Sequence, residues 1–265
     1  MAQSVSAGRL KPAGIPGPGM PLVAMYHSVE PCRSDPYRVT VSPQRFEQQM
    51  GWLARRGVRG VSVRELLAAR AAGAGQGLVG LTFDDGYTDF ARYALPVLRR
   101  FGFTATVFVI AGLLGGQNSW DPDGPGKPLM DAGLVRQVAG AGIEIGSHGL
   151  RHVRLPEAGA ALGDEVGRSR DILQAVTGQP VPGFCYPYGA VDDTAVQQVR
   201  TAGYDYGCAI WPSPHTGRHA LPRSYVGEAD GPSRLWAKAL RHQLTWAYRS
   251  RRNSATLRSP ATPIG

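Results

Sequence analysis

The sequence is poor in cysteine and contains no long apolar run. Its 265 residues include three cysteines, Cys32, Cys185 and Cys208, none of them close to another in the chain. An odd and scattered set of cysteines indicates neither a disulfide framework nor a cysteine zinc site. No apolar stretch reaches the roughly 18 residues that a transmembrane helix needs, so the sequence predicts no helix that spans a membrane.

The N-terminus also lacks a recognisable export signal. Arg9 and Lys11 are not followed by an apolar segment. As written, the chain is therefore expected to be cytoplasmic, whereas an extracellular or cell-envelope location would apply if the start were misassigned. Residues 1–20 are rich in Gly, Ala and Pro, which predicts a flexible N-terminal arm.

Acidic residues are absent beyond Asp230. The formal net charge of the chain is +9, and most of it comes from the cations of this segment: Arg234, Lys238, Arg241, Arg249, Arg251, Arg252 and Arg258. Apolar side chains lie between them: Leu235, Trp236, Leu240, Leu244 and Trp246. We interpret residues 231–265 as a basic helix and tail, which would either lie weakly on an anionic membrane surface or dock on the protein with a solvated basic edge. No nucleic-acid partner is predicted, because no segment resembles a recognition module.

Composition and patterning predict one α/β domain over residues 21–230. With 43% hydrophobic and 18% charged residues, the chain can bury a full core. Short apolar runs, such as Tyr206 to Ile210, alternate with helical patterns. At Ser42-Pro43 an N-cap residue and a first-turn proline begin a helix. A second helix is predicted where residues repeat by four and three before Gly178, a plausible C-cap: Leu162, Val166, Ser169, Leu173 and Val176. This alternation predicts a distorted and incomplete (β/α) barrel of about seven strands. Residues 112–128, rich in Gly and Pro, are expected either to cover the barrel mouth or to form a solvated insertion.

Two aspartates and two histidines follow predicted strands. Asp84 and Asp85 come directly after the apolar run at residues 77–83, and His148 follows a second apolar run. His148 and His152 are four residues apart, so on a helical turn both imidazoles would face one ion. Asp-Asp-Gly alone is more often a turn, but the joint placement at strand ends favours a site. We therefore predict a metal site formed by Asp85, His148 and His152.

This arrangement leaves Asp84 free of the metal. A metal ion lowers the pKa of bound water from about 15.7 towards about 7, and Asp84 could take a proton from that water. A leaving amine would then need an acid on the opposite side, for which histidine is best suited near neutral pH. His27, which ends the apolar run at residues 22–26, is the first candidate, although a histidine at a strand end is usually only hydrogen-bonded and partly buried.

These residues resemble the motifs of the polysaccharide deacetylase family, also called the NodB homology domain or carbohydrate esterase family 4. The resemblance runs from about Leu22 to Val226. Residues 82–86, Thr-Phe-Asp-Asp-Gly, resemble the first motif, in which the first Asp is the general base and the second is a metal ligand. Residues 148–152 resemble the second motif, whose two histidines bind the same ion, although Gly149 stands where the family usually has Ser or Thr.

Residues 184–189, Phe-Cys-Tyr-Pro-Tyr-Gly, resemble the third motif, Arg-x-Pro-Tyr-Gly. The resemblance implies that the backbone N–H of Tyr188 helps to hold the tetrahedral oxyanion. Cys185 replaces the motif arginine, which orients the base in the family. Arg223, on a predicted late strand, is the candidate substitute that could reach Asp84.

The fourth and fifth motifs of the family, an Asp-Trp element and a late Leu-x-x-His, have no recognisable counterpart. A branch resembling the poly-N-acetylglucosamine deacetylases carries its acid histidine on an early Tyr-His strand, and Tyr26-His27-Ser28 looks like that arrangement. His215 is the rival acid. Trp211, four residues before it, is expected either to stack on a sugar or simply to pack.

The resemblance implies a metal-dependent hydrolase that removes N-acetyl groups from N-acetylated sugars, with residues 21–230 as the polysaccharide deacetylase domain. Zinc is the metal expected for this ligand set, and cobalt, nickel or manganese would also fit. Two alternatives stay open: a non-catalytic carbohydrate-binding protein on the same fold, and an amidohydrolase of a small sugar-lipid intermediate. The sequence does not separate a polymeric substrate from a small one.

Overall fold

Strands and helices alternate along the described part of the chain. The structure is a computed structural model that describes residues 19–256, with side chains up to residue 249. The strands are β1 Val23–Tyr26, β2 Ser28–Val29, β3 Thr40–Val41, β4 Arg59–Val61, β5 Leu78–Phe83, β6 Thr106–Val109, β7 Glu144–Ser147, β8 Gly183–Cys185, β9 Tyr206–Ile210 and β10 Leu221–Tyr225. The α-helices are α1 Pro43–Arg55, α2 Val63–Ala71, α3 Leu95–Phe101, α4 Ala132–Gly140, α5 Ser169–Thr177, α6 Asp193–Thr201 and α7 Pro232–Thr256. The predicted arm at residues 1–20 lies largely outside the described residues, as does the predicted tail beyond residue 256.

Seven of these strands close into a parallel barrel. They follow the order β1-β5-β6-β7-β8-β9-β10, and β10 pairs back onto β1. The ring closes because β1 pairs directly with residues Gly80 to Phe83 of β5. The short strand β4 pairs with the first half of β5 and lies beside the ring. The predicted (β/α) barrel of seven strands is confirmed, with one strand fewer than the eight of the commonest (β/α) barrel.

Apolar side chains fill two layers, one inside the barrel and one between the barrel and its helices. The inner layer contains Val23, Leu78, Phe108, Tyr206, Cys208 and Leu221. The outer layer buries the inward faces of the helices; in α1, for example, Phe46 and Met50 are fully buried. Parallel strands buried on both faces give this core, and they leave their carboxyl ends free to carry polar side chains.

The helices begin and end at residues that suit those positions. The Ser42 hydroxyl accepts a hydrogen bond from the backbone N–H of Arg45 at 3.3 Å and caps α1, as predicted. At the end of α5, Gly178 adopts a left-handed conformation with φ of 65°. Wider helical turns at Phe90–Ala94 and Asp164–Arg168 lead directly into α3 and α5.

The long helix α7 packs along the outside of the barrel. Trp246 is buried against Trp211, and the His242 imidazole lies 2.8 Å from the carbonyl oxygen of Met20. Trp211 therefore packs between elements, which fits the second of its two predicted uses. Among the described residues, no helix is both long and apolar enough to cross a membrane.

Candidate active site

The side chains predicted to act together lie on different strand ends and meet at one mouth of the barrel. Asp84 and Asp85 follow β5, and His148 follows β7. His27 follows β1, and Arg223 lies in the last barrel strand, β10. Because all barrel strands are parallel, their carboxyl ends surround the same opening, where (β/α) barrels place their catalytic groups.

Asp85, His148 and His152 form a buried cluster with the donor set of a metal site. One ligand atom from each residue lies within 4.8 Å of the others. The Asp85 Oδ1 atom lies 3.4 Å from His148 Nε2 and 3.4 Å from His152 Nε2. This oxygen is buried and accepts no hydrogen bond from the described residues. Two imidazoles and one carboxylate with such an orphaned oxygen fit a divalent cation, because a buried polar atom otherwise needs a partner.

The two histidines do not lie on a helical turn, so that part of the prediction is wrong. Residues 148–154 form an irregular loop after β7. Gly149 has a φ of 82° and His152 a φ of 60°, and both values lie in the left-handed region. These two reversals turn the chain back on itself, so the imidazoles converge through the loop conformation. Their ring centroids are 5.0 Å apart.

Neighbouring groups hold this loop and set the proton position on His148. The His148 Nδ1 atom lies 2.9 Å from the carbonyl oxygen of Cys185, which keeps the proton on Nδ1 and leaves the Nε2 lone pair for a metal. The fully buried Glu165 carboxylate accepts hydrogen bonds from the backbone N–H groups of Leu150 at 2.9 Å and Arg151 at 3.0 Å. Glu165 thus supports the loop that lacks Ser or Thr at position 149.

Glu165 was not identified from the sequence as a functional residue, although a signal was present. It lies three residues after Leu162 and four before Ser169, on the apolar face of the predicted helix. A carboxylate on that face is buried and must find donors. The donors come from the histidine loop, which cannot be inferred from helical spacing.

Arg223 holds the carboxylate of Asp84 with two parallel hydrogen bonds. Its Nη1 donates to Asp84 Oδ1 at 2.6 Å and its Nη2 to Asp84 Oδ2 at 2.7 Å. The guanidinium also donates to Thr82 Oγ1 at 3.0 Å and to Cys185 Sγ at 2.9 Å. Both charged side chains are buried. The cation predicted to replace the motif arginine therefore contacts Asp84, and the small Cys185 side chain leaves room for it.

These contacts determine the protonation of the carboxylates and imidazoles. Burial would raise the pKa of Asp84, but the charge and hydrogen bonds of Arg223 outweigh burial, and the pKa lies below the usual range of a carboxyl. Burial would likewise raise the pKa of Asp85, but His148 and His152 hold it well below that range. Burial lowers the pKa of His152 to about 4, so this ring is neutral near pH 7 and its lone pair is available to a metal.

His27 lies at the site, whereas His215 is paired elsewhere. The His27 Nε2 atom is 3.8 Å from Asp84 Oδ2, and its buried Nδ1 has no hydrogen-bond partner among the described residues. His215 Nδ1 lies 3.4 Å from the exposed carboxylate of Asp193 on α6. Of the two candidate acids, His27 is the one that contacts a proposed catalytic group.

Tyr188 lies in a tight turn directly after β8. The turn is closed by hydrogen bonds from Gly189 N to Tyr186 O at 2.9 Å and from Ala190 N to Pro187 O at 3.1 Å. The N–H of Tyr188 takes no part in these two bonds, and Tyr188 itself has a left-handed φ of 58°. The geometry leaves this N–H available to a ligand.

Left-handed backbone conformations are concentrated at the site. Among the described residues other than glycine, positive φ occurs at Arg38, Asp85, His152 and Tyr188. Three of these four belong to the proposed site. Such conformations cost about 1–3 kcal/mol each and persist where the surrounding structure enforces them, which is typical of functional sites.

Aromatic rings line the opening above the histidines. The Trp120 and Tyr188 rings lie 4.4 Å and 4.6 Å from the His152 ring, and the Arg154 guanidinium lies 4.8 Å from the Tyr188 ring. Trp120 belongs to the segment at residues 112–128, so this segment does cover part of the barrel mouth. Trp120 was not singled out from the sequence.

The mouth segment is attached to the barrel by a buried lysine. The Lys127 ammonium donates to Ser28 Oγ at 2.9 Å and forms an ion pair with Glu30. The backbone N–H of Lys127 donates to Asn118 Oδ1 at 2.6 Å. These contacts join the segment to residues that follow His27, so Trp120 and His27 are positioned by one connected structure.

Comparisons with known proteins agree with this architecture. The chain is 26% identical to the IcaB structure from Ammonifex degensii, with a TM-score of 0.69 over 84% of this chain and 98% of that one. YxkH of Bacillus subtilis, by name a polysaccharide deacetylase, is 28% identical over 82% of this chain and 72% of its own. The poly-β-1,6-N-acetyl-D-glucosamine N-deacetylase of Staphylococcus aureus is 23% identical over 71% of this chain and 68% of its own.

The comparisons place this barrel in the class of carbohydrate deacetylases. The family model for polysaccharide deacetylase matches residues 71–207. The chain belongs to the polysaccharide deacetylase family.

Proposed function

We propose that this protein is a metal-dependent hydrolase that removes N-acetyl groups from N-acetylated sugars. One observation carries the proposal: a buried Asp-His-His cluster with an orphaned carboxylate oxygen lies beside a second aspartate that an arginine holds in place. An ion bound by Asp85, His148 and His152 would supply a Lewis acid and a more acidic water. Zinc is the default for this ligand set, and cobalt, nickel or manganese fit it as well.

Asp84 acts as the general base in this proposal. The paired hydrogen bonds from Arg223 fix the plane of its carboxylate and keep it ionised near neutral pH. An ionised carboxylate at the mouth can accept the proton of the water that attacks the acetyl carbonyl. Arg223 is a positioning residue, since it is fully buried beneath Asp84 and does not reach the opening.

Tyr188 and His27 act on the two parts of the acetamide group, the carbonyl and the leaving amine. The free N–H of Tyr188 donates to the oxyanion that forms on the acetyl carbonyl, a contribution typically worth about 3–4 kcal/mol of barrier. His27 donates a proton to the leaving sugar amine, since its Nε2 atom lies 3.8 Å from Asp84 Oδ2 and so on the side of the base. The exposed faces of Trp120 and Tyr188 offer surfaces on which a sugar ring can stack.

Two features favour a carbohydrate-binding protein without catalytic activity: the motif arginine is replaced by Cys185, and the second motif has Gly149 in place of Ser or Thr. A contact elsewhere in the site compensates for each replacement. Arg223 supplies the cation that Cys185 cannot, and Glu165 supports the loop that Gly149 leaves without a hydroxyl. The S. aureus relative acts by name on a poly-N-acetylglucosamine. We therefore favour N-acetylglucosamine units as the substrate, in a polymer or in a smaller conjugate such as a sugar-lipid intermediate.

Acetate release from a panel of N-acetylglucosamine oligomers, peptidoglycan and sugar conjugates tests this proposal. Release should require a divalent metal, stop with a chelator, return when zinc or cobalt is added, and fail in Asp84→Asn. Asp171→Asn, on an exposed position of α5, is the matched control and should retain full activity. Release that persists with chelator and in Asp84→Asn would rule the mechanism out.

A further inference from the structure

The outward face of α7 carries an apolar row that the fold of the domain does not use. Trp236, Leu240 and Leu244 follow one another at four-residue spacing and so lie along one side of the helix. Trp236 is 57% exposed and Leu244 is 63% exposed, and apolar side chains that are exposed together on one helix face are typical of an interaction surface. The opposite side of α7 packs on the protein through Leu235 and Trp246. Leu240, between the two, is half-buried and lines a cavity against the barrel, so docking of the helix accounts for Leu240 but not for the exposure of Trp236 and Leu244.

Unpaired cations lie beside this row. Arg234 and Arg241 are exposed and, within the described part of the chain, form no ion pair, whereas Lys238 is bound to Asp230 at 2.5 Å. No acidic residue follows Asp230 in the sequence. An apolar row flanked by cations, with no acid on the helix, is the pattern of a helix that lies in the interface of an anionic membrane.

A cavity and a groove lie on either side of this face. The cavity, of about 330 Å³, opens beneath Trp236 between α7, α1 and the barrel, and its lining is mainly apolar, including Trp52, Leu53 and Leu81. The groove, of about 530 Å³, contains Arg38, Arg234 and Arg241.

The carboxylates in the groove are already engaged. Asp35 accepts hydrogen bonds from the backbone N–H groups of Val39 and Thr40 at 3.0 and 2.8 Å. Glu228 accepts from the backbone and hydroxyl of Ser42 at 2.7 and 3.0 Å. Asp230, the third carboxylate of the groove, pairs with Lys238. Among the described residues, none of the three forms an ion pair with Arg38, Arg234 or Arg241, so these guanidinium groups can still contact an external anion.

We propose that this face of α7 binds an anionic lipid bilayer. The apolar row would enter the interface, the cavity beneath Trp236 could receive part of an acyl chain, and Arg38, Arg234 and Arg241 would meet lipid phosphates. A second copy of the chain is a poorer occupant, because a symmetric contact through this face would bring Arg234 and Arg241 towards their own copies.

The same contact would place the barrel mouth close to the membrane. The groove is formed partly by the loop around Arg38. In this loop the Tyr37 hydroxyl donates to Asp123 Oδ2 of the mouth segment at 3.3 Å. Tyr225, at the end of β10, also lines the groove. A bilayer bound here would present a surface-linked sugar near the opening.

Vesicle co-sedimentation of the full chain tests the proposal without substrate. The chain should bind vesicles containing phosphatidylglycerol, bind neutral phosphatidylcholine vesicles far more weakly, and lose affinity as salt increases. Arg234→Gln with Arg241→Gln should weaken binding by about 30-fold. Trp236→Ser with Leu244→Ser should also abolish most binding, and Leu244→Ser alone should reduce it.

The matched control removes two exposed arginines from other helices. Arg136→Gln with Arg200→Gln lowers the net charge equally, and binding should stay within about twofold of the unaltered chain. Unaltered circular dichroism would show that each variant is folded. The proposal would be overturned if both pairs of arginine substitutions reduced vesicle binding equally, or if the Trp236 and Leu244 substitutions left vesicle binding unchanged. A dimer that is detected by sedimentation velocity and abolished by Leu244→Ser would also overturn the proposal.

Discussion

Replacing Arg223 with methionine tests how the base is positioned. Arg223 donates to both oxygens of Asp84, and both side chains are buried, so Arg223→Met leaves a carboxylate without compensation in the barrel. Breaking a buried pair on one side costs about 3–5 kcal/mol. For a chain of this size, that cost corresponds to a fall in Tm of roughly 10 °C.

The same substitution should change the pH dependence of acetate release. Arg223 lowers the pKa of Asp84, and without it burial would raise that pKa above the ordinary value of 3.8. A base with a raised pKa is protonated over a wider range, so the acid limb of kcat/KM should move to higher pH in Arg223→Met. Calorimetry for Tm and a pH profile of acetate release measure the two effects.

Two further variants make this prediction specific. Arg223→Lys keeps the charge but loses the paired geometry, and it should recover stability better than activity. Cys185→Arg with Arg223→Met returns the cation to the motif position and should restore part of both. An acid limb and a Tm that do not change in Arg223→Met would refute the assigned role.

The remaining predictions concern the metal, the acid and a buried carboxyl. Asp84→Asn should abolish acetate release while one zinc still binds, and His148→Ala should lose both; equal zinc loss by calorimetric titration would contradict this division. His27→Ala should remove the alkaline limb of the pH–rate profile and His215→Ala should not, and the reverse result would reassign the acid. Burial raises the pKa of Asp89 from 3.8 to about 6. The folded state therefore holds this proton more tightly, and the resulting stability, fully present below pH 3.8, is lost as pH rises through about 6. Over that range the free energy of unfolding, measured by chemical denaturation at each pH, should fall by roughly 3 kcal/mol more in the unaltered chain than in Asp89→Asn. An equal pH dependence in the two proteins would contradict this prediction.

The strands and helices that carry strong local signals were predictable from the sequence. Tyr206 to Ile210 is an apolar run that forms β9 with the predicted bounds. Gly178 ends α5 as predicted, because a left-handed C-cap suits glycine. In contrast, β4 and α2 at residues 59–71 were not assigned. Strand β4 has three residues, too few to show a period, and only two residues of α2 are buried, so its apolar face is narrow.

The candidate site could be predicted only where each residue follows its own strand. Asp84, Asp85 and His148 are placed by strand ends, and parallel pairing brings such ends together. The support from Glu165 and the cover from Trp120 depend on loops that meet across the mouth. Contacts of this kind have no fixed sequence spacing. The positive φ of His152 could not be predicted either, because a histidine does not by itself indicate a left-handed backbone.

The proposed mechanism requires Asp85, His148 and His152 to hold one divalent cation. X-ray absorption spectroscopy of the zinc-loaded protein measures those ligands directly. We expect one zinc per chain, with two imidazole nitrogens and oxygen donors at about 2.0–2.2 Å. The imidazole signal should be halved in His152→Ala and retained in Asp84→Asn. A zinc shell without imidazole, or one unchanged by His152→Ala, would show that these residues do not hold the cation.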